Sequence, residues 1–391
     1  MSAPERDGFD PARHLPDELL ERIRERAAVH DRENTFPQHD LDELREAGYL
    51  SILVPRELGG AGLGLAEAAV LQQRLASAAP ATALAINMHL VWTGVAKVFS
   101  DRGVPGLEFV QRGAVAGDVF AFGISEGGND LVLFGSDTSA VPHGDGGYAF
   151  TGTKIFTSLA PVWTKLGLHG LDTTSADAPK LVFAFIDRTD AVTTSDDWDT
   201  LGMRGTQSRT TRLSGAVAAP GHVVRRIDPG PNPDPIVFGI FSVFEILLAS
   251  VYTGIARRGL DLAVEAAKSR RSKKTGMSYS QDPDIRWRIA DMALAYDALP
   301  PQISALARDV DELADHGPRW FTLLSGLKHR AVVMAKQVVD EAMLVAGGGS
   351  YFSSNELSRL YRDVLAGMFH PSDPESAHST AASAWLGPIE R

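Results

Sequence analysis

The segment "RDVLAGMFHPSDPESAH" (362–378) sets His370 seven residues after Asp363, with Pro371 behind it and His378 nearby. A second histidine, His89, stands in the apolar stretch "NMHLVW". Histidine titrates near neutrality, so either ring can protonate or hydrogen-bond an oxygen that gains charge during a reaction. Ser125 and Ser158 each close a short apolar run and can hold the polar edge of a ligand. Glu245 follows Phe244 in an apolar stretch. The bland alternative is a set of satisfied core or surface histidines and locally bonded hydroxyls. His89 and His370 lie far apart, with no HxxxH pattern or acidic cluster, so no metal site is expected.

The 391 residues contain no cysteine, which excludes disulfides, thiolate nucleophiles, cysteine-ligated zinc and iron–sulfur clusters. A net charge of -11 argues against a general nucleic-acid binder. Locally, the cationic cluster "KSRRSKKTG" (268–276) could meet an anion, or could simply complement a helix C-terminus. The polar start of the chain lacks the apolar core of a signal peptide, and no run of eighteen or more apolar residues is evident. A soluble cytoplasmic protein without membrane contact is expected.

Three regions must position these side chains. Residues 1–118 read as helices, with acid in the first turn and glycine near the end of "DLDELREAGYL". Residues 119–232 carry short apolar or alternating runs broken by glycine and aspartate, which read as antiparallel strands, with "HGDGGYAF" as a hairpin tip. After the linker "DPGPNPDP", residues 233–391 are helical again. There Leu327, Ala331, Met334, Val338, Ala342 and Val345 form one apolar face. Segregated helices and strands imply an α+β fold.

"LVPRELGGAGLGLAE", "FGISEGGNDLVLFGSDTSAV", "YAFTGTKIFTS", "LGMRGTQSRT" and "VAGGGSYFSSNELSRLYRD", in this order, resemble motifs of the acyl-CoA dehydrogenase superfamily. The resemblance spans nearly the whole chain. It implies an N-terminal helical domain, a middle β-barrel-like domain, a C-terminal four-helix bundle, a homotetramer and a flavin, expected as FAD. An apolar slot edged with hydrogen-bonding groups suits a flavin ring. Phe122, Ile124 and Ser125, with Phe156, Thr157 and Ser158, could wall it, or be ordinary core. Asn129, Asp130 and Leu131 occupy the flavin-contacting loop where Gly-Ser-Asp is usual. Arg271 best matches the arginine that reaches the dinucleotide across a subunit boundary, and Gly347 and Gly348 could let backbone approach the same cofactor.

A member of that superfamily that desaturates acyl-CoA needs a carboxylate base. The two matching positions hold Pro371, eight residues after Asp363, and Phe244. Glu245 is turned by about 100° from Phe244 on a helix. His370 and His89 match instead the branch of two-component flavin monooxygenases, which take reduced flavin from a separate reductase. The resemblance therefore implies hydroxylation of an aromatic or heteroaromatic small molecule through a C4a-hydroperoxyflavin, indole oxygenases being one similar type. His89, His370, Ser125 and Ser158 would manage the oxygen adduct, and Trp92, Phe244, Glu245 and Tyr252 would line the substrate pocket. The alternatives are a divergent acyl-CoA dehydrogenase using Glu245 or another carboxylate, and a flavin-fold scaffold that binds a partner without turnover.

Overall fold

The computed structural model describes residues 8–387 and 389. The N-terminal region is helical: α1 (Pro11–His14), α2 (Asp17–Glu33), α3 (Gln38–Glu46), α4 (Leu65–Ala78), α5 (Pro80–Asp101) and α6 (Glu108–Ala116). Pro80 opens α5 at a position where a helix needs no N–H, with Ala79 alone between it and the end of α4. The free N–H groups at the start of α4 are met from across the fold. Leu65 N and Ala66 N donate to the Asp311 carboxylate at 2.9 and 3.1 Å, and Asp311 closes a helix of the C-terminal region.

The middle region is one sheet of β1 (Phe120–Gly123), β2 (Ser139–His143), β3 (Gly147–Thr157), β4 (Lys165–Asp172), β5 (Lys180–Asp187), β6 (Val192–Thr194), β7 (Arg209–Ala218) and β8 (Val223–Ile227). Its hydrogen-bonded order is β6-β7-β3-β2-β4-β5-β8, with β1 beside β4. The predicted hairpin tip joins β2 to β3, where Gly144 and Gly146 take the left-handed φ values of 58° and 95° that the turn demands. The expectation of antiparallel strands fails at β1, which runs parallel to β4 from Phe120↔Lys165 to Gly123↔Leu168. The long connection between them gives the chain room to return to the same end.

The C-terminal region comprises α7 (Pro235–Ser269), α8 (Pro283–Asp297), α9 (Leu299–Asp311), α10 (Arg319–Ala346), α11 (Glu356–Leu365) and α12 (Pro374–Leu386). Asp234 caps α7 by accepting from Ile236 N at 2.8 Å, and Pro235 fills its first turn. By length and composition α7 could cross a membrane, which a search for uninterrupted apolar runs overlooks. Yet 89% of its most apolar window is buried inside the protein. That apolarity is a core requirement: α7 packs against α4, α5 and α10.

Gly254 sets how closely α7 approaches α4, because a Cβ there would lie 2.4 Å from the Gln73 carbonyl oxygen. Backbone cannot retreat as a flexible side chain can. Gly254→Ala is therefore expected to destabilise the fold by about 1–3 kcal/mol, read as a lowered urea midpoint with unchanged slope.

Candidate active site

A strip of aromatic and hydroxyl side chains crosses from α7 through β1 to the end of β3. Phe244 of α7 stacks on Phe122 of β1, with ring centroids 5.4 Å apart and planes at 23°. Just past β1, the Ser125 carbonyl accepts from Ile155 N of β3 at 2.9 Å, bringing Ser125 beside Phe156. The half-buried Ser125 hydroxyl makes no hydrogen bond among the described residues. Pairing of β3 with β7 is irregular between Lys154 and Thr157, and there Phe156 adopts φ 56° with 55% of its surface exposed. Such a conformation costs a non-glycine residue about 1–2 kcal/mol. Thr157 is buried beside it, and its hydroxyl has no partner among the described residues.

Ser158 ends the strip in a directed chain. The Thr206 hydroxyl donates to the Met203 carbonyl at 2.9 Å, so it must accept from Ser208 at 2.7 Å. Ser208 must in turn accept from Ser158 at 2.7 Å. Ser158 therefore keeps its oxygen as an acceptor for an N–H donor.

Beside this strip a second cluster surrounds the turn after α11. His370 Nε2 lies 2.8 Å from the hydroxyl of Tyr252, on α7. Burial, then the nearby Lys328 ammonium, hold the His370 imidazole far below its ordinary value, so it is neutral. Lys328, buried on α10, donates to the carbonyl oxygens of Gly367, His370 and Ser372 at 2.9, 3.1 and 3.1 Å. The Ser372 hydroxyl donates to Glu245 Oε1 at 2.5 Å, while Oε2 has no partner among the described residues. Burial pushes the Glu245 carboxyl up and the Lys328 ammonium down.

Several expected site residues stand elsewhere. His89 is fully buried with both ring nitrogens engaged: Nε2 meets the Leu50 carbonyl at 2.7 Å, and Nδ1 accepts from Phe120 N at 3.1 Å. Burial lowers it to about 4. It joins α5 to β1 and has no nitrogen left for chemistry. Trp92 is core as well, its indole N–H donating to the Ala121 carbonyl at 2.9 Å and its rings packed on Phe122 and Phe185. Ile124 is buried in the same core. Glu245 and Tyr252 are buried and face the turn after α11, seven residues apart on one side of α7, so neither extends the wall made by Phe244. Asp130 and Leu131 lie exposed on the loop after β1.

Arg271 is exposed on a small hairpin, bridged to Ser278. Its neighbour Arg270 meets the glycine segment, donating to the Val345 and Ala346 carbonyls at the end of α10. A Cβ on Gly347 would lie 2.9 Å from Arg270 Nη1, whereas Gly348 faces open space.

The motif residues themselves do structural work that the sequence reading missed. Glu126 gathers the loop after β1. Its Oε1 accepts from Lys154 Nζ at 2.7 Å, Ser136 Oγ at 2.7 Å and Thr138 N at 3.0 Å, and its Oε2 from Asp137 N at 2.7 Å. Burial would raise this carboxyl, but Lys154 and the hydroxyls hold it well below the usual range. Lys154 also reaches His169 Nδ1 at 3.2 Å. Asp363 is buried and accepts from Met203 N at 2.6 Å, while Arg362 pairs with both Asp31 oxygens. Thus "LGMRGTQSRT" and "LYRD" are tied to each other.

The family description "acyl-CoA dehydrogenase, N-terminal domain" matches residues 15–100, and "acyl-CoA dehydrogenase, C-terminal domain" matches residues 246–372. The chain belongs to the acyl-CoA dehydrogenase family. Within that family it is similar to L-evernosamine nitrososynthase of a Micromonospora strain, 28% identical over 90% of this chain and 84% of the relative. It is also similar to dibenzothiophene monooxygenase of Rhodococcus qingshengii, 26% identical over 92% and 88%. The structure of KijD3 in complex with FMN and dTDP-3-amino-2,3,6-trideoxy-4-keto-3-methyl-D-glucose superposes with a TM-score of 0.84. That likeness has 28% identity and covers 100% of this chain and 96% of KijD3. The acyl-CoA dehydrogenase fold thus occurs, in similar chains, in oxygenating enzymes.

Proposed function

We propose that this chain is a flavin-dependent monooxygenase that receives reduced flavin from a separate reductase and oxygenates a small molecule. One observation carries the proposal. The two base positions of the family hold Phe244 and Pro371, and the neighbouring Glu245 is turned into the bundle, hydrogen-bonded to Ser372. A carboxyl so placed cannot reach over the strip to take a proton from carbon.

The strip fits a flavin ring. Phe156 offers an exposed aromatic face, Ser125 a free hydroxyl, and Ser158 an acceptor at one edge. A bound flavin supplies the electrons that activate dioxygen. The protein's own part is to hold the ring, exclude water with Phe122 and Phe244, and present the neutral His370 as a hydrogen-bond donor to developing negative charge. The FAD expectation broadens to a flavin, because KijD3 binds FMN. Exposed Arg271 supports a dinucleotide contact across a subunit boundary in a homotetramer.

For the oxygen acceptor, the aromatic wall supports an aromatic or heteroaromatic molecule. The whole-length likeness to KijD3 and to the nitrososynthase favours a second reading, oxidation of a sugar amine carried on a nucleotide. The test is incubation of purified protein with reduced FAD or reduced FMN, dioxygen, and a panel of indoles, sulfur heterocycles and nucleotide-linked amino sugars. An oxygenated product is expected. Anaerobic bleaching of bound oxidised flavin by an acyl-CoA, without any oxygenated product, would overturn the proposal in favour of desaturation.

The strained Phe156 gives a separate check. Asparagine tolerates left-handed φ, so Phe156→Asn is expected to raise stability by about 1 kcal/mol. The same change removes an aromatic contact and should weaken reduced-flavin binding by roughly three- to tenfold. Thermal melts and flavin titration read the two effects independently.

A further inference from the structure

Tyr252 determines where His370 carries its proton. The phenol is fully buried, which raises it well above its ordinary value and keeps its hydrogen in place. Among the described residues that hydrogen has one acceptor, His370 Nε2 at 2.8 Å. A buried O–H without an acceptor is costly, so the phenol donates and Nε2 accepts. In a neutral imidazole the remaining proton then sits on Nδ1, which has no partner among the described residues.

Lys328 determines where the ring stands. Its ammonium gathers the Gly367, His370 and Ser372 carbonyls, so the turn closes around one cation. The Ser372–Glu245 hydrogen bond adds a second tie from α7, and Ser372 itself is held at φ 57°. In sequence Lys328 belongs to a row with Leu324, Ala331, Val332 and Ala335, all buried. A lysine in that row is explained by the three carbonyls it meets, since a buried cation requires such partners.

We infer that Tyr252 and Lys328 are positioning residues for His370, the tyrosine fixing the tautomer that leaves Nδ1–H as a free donor and the lysine fixing the turn that carries the ring. The inference rests on the reading of His370 as the hydrogen-bond donor in oxygenation, and predicts that neither residue acts on substrate directly.

The tautomer can be read without turnover. In protein labelled with 15N-histidine, the His370 resonances are those lost in His370→Gln. Wild type should show a protonated Nδ1 and an unprotonated Nε2, and Tyr252→Phe should shift both toward a tautomer mixture. A proton on Nε2 in wild type, or an unchanged pattern in Tyr252→Phe, overturns the tyrosine's role.

For the lysine, Lys328→Met should speed amide exchange across residues 366–373 by about tenfold or more, and Lys328→Arg should restore most of the protection. Unchanged exchange overturns its role. Lys328→Gln, which keeps a donor, gives the same comparison should the methionine variant not fold.

With an accepted substrate, Tyr252→Phe should cut oxygenated product per flavin oxidised by about tenfold. It should have no further effect in a His370→Gln background, because residues acting through one group are not additive. Equal losses in both backgrounds overturn the inference. If wild type forms no oxygenated product, the proposed function fails while the nitrogen shifts still decide the tautomer.

Discussion

Replacing Glu126 by alanine is expected to cost the fold about 3–5 kcal/mol, the largest stability effect foreseen for this chain. The variant leaves the Lys154 ammonium fully buried without its carboxylate, and frees the Ser136 hydroxyl and the Asp137 and Thr138 amides that Glu126 now gathers. Urea denaturation measures the loss, and a shift worth less than about 1 kcal/mol would show that the loop is held by something else. The double variant Glu126→Gln with Lys154→Met should recover much of the deficit, since a buried pair replaced by neutral groups leaves no stranded charge. The pH dependence has a definite sign. Glu126 is held below its ordinary 4.5 in the folded chain, so above that pH its contribution is fully present. It is lost as pH falls further and the unfolded chain takes up a proton that the folded one refuses.

The second large effect concerns chemistry. His370→Gln is expected to lower formation of oxygenated product by about 100-fold or more, the range seen when a proton-transferring group is removed. Reduced flavin should still be oxidised, with hydrogen peroxide released in place of product. Product chromatography and a peroxide assay on one reaction give the ratio. Unchanged product per flavin would remove His370 from the chemistry. Because burial and Lys328 hold the imidazole below its ordinary 6.5, its neutral form persists as pH falls through that value. Activity that depends on neutral His370 should therefore show no acid limb near pH 6.5.

Much of the architecture was legible from pattern. Strand-length runs between glycine turns foretold the middle sheet, and the glycines of "HGDGGYAF" foretold its hairpin. Parallel pairing of β1 was not legible, because partner choice depends on where a connection returns the chain. The site was only partly readable. Phe122, Ser125, Phe156, Thr157, Ser158 and Phe244 do form one strip, but His89 was misassigned. A histidine satisfied at both nitrogens by backbone has the same sequence appearance as one facing a ligand. The choice between Phe244 and Glu245 turned on a rotation of one residue along α7.

The most informative residues missed were the two buried lysines, and both leave a trace. Lys154 shares the alternating buried row of Tyr148 and Phe150 on β3. Lys328 shares the apolar row of α10. A cation in such a row requires a polar partner inside the protein, which is a stronger pointer than a short motif.

The apolar length of α7 bears on how the chain is made. Synthesis proceeds from the N-terminus, so α4 and α5 emerge first, but α10, which also packs on α7, is completed only at Ala346, well after α7 ends at Ser269. During that interval a greasy cylinder long enough to suit a lipid bilayer lacks its cover from α10. A slow stretch of translation beyond residue 269 would extend the hazard.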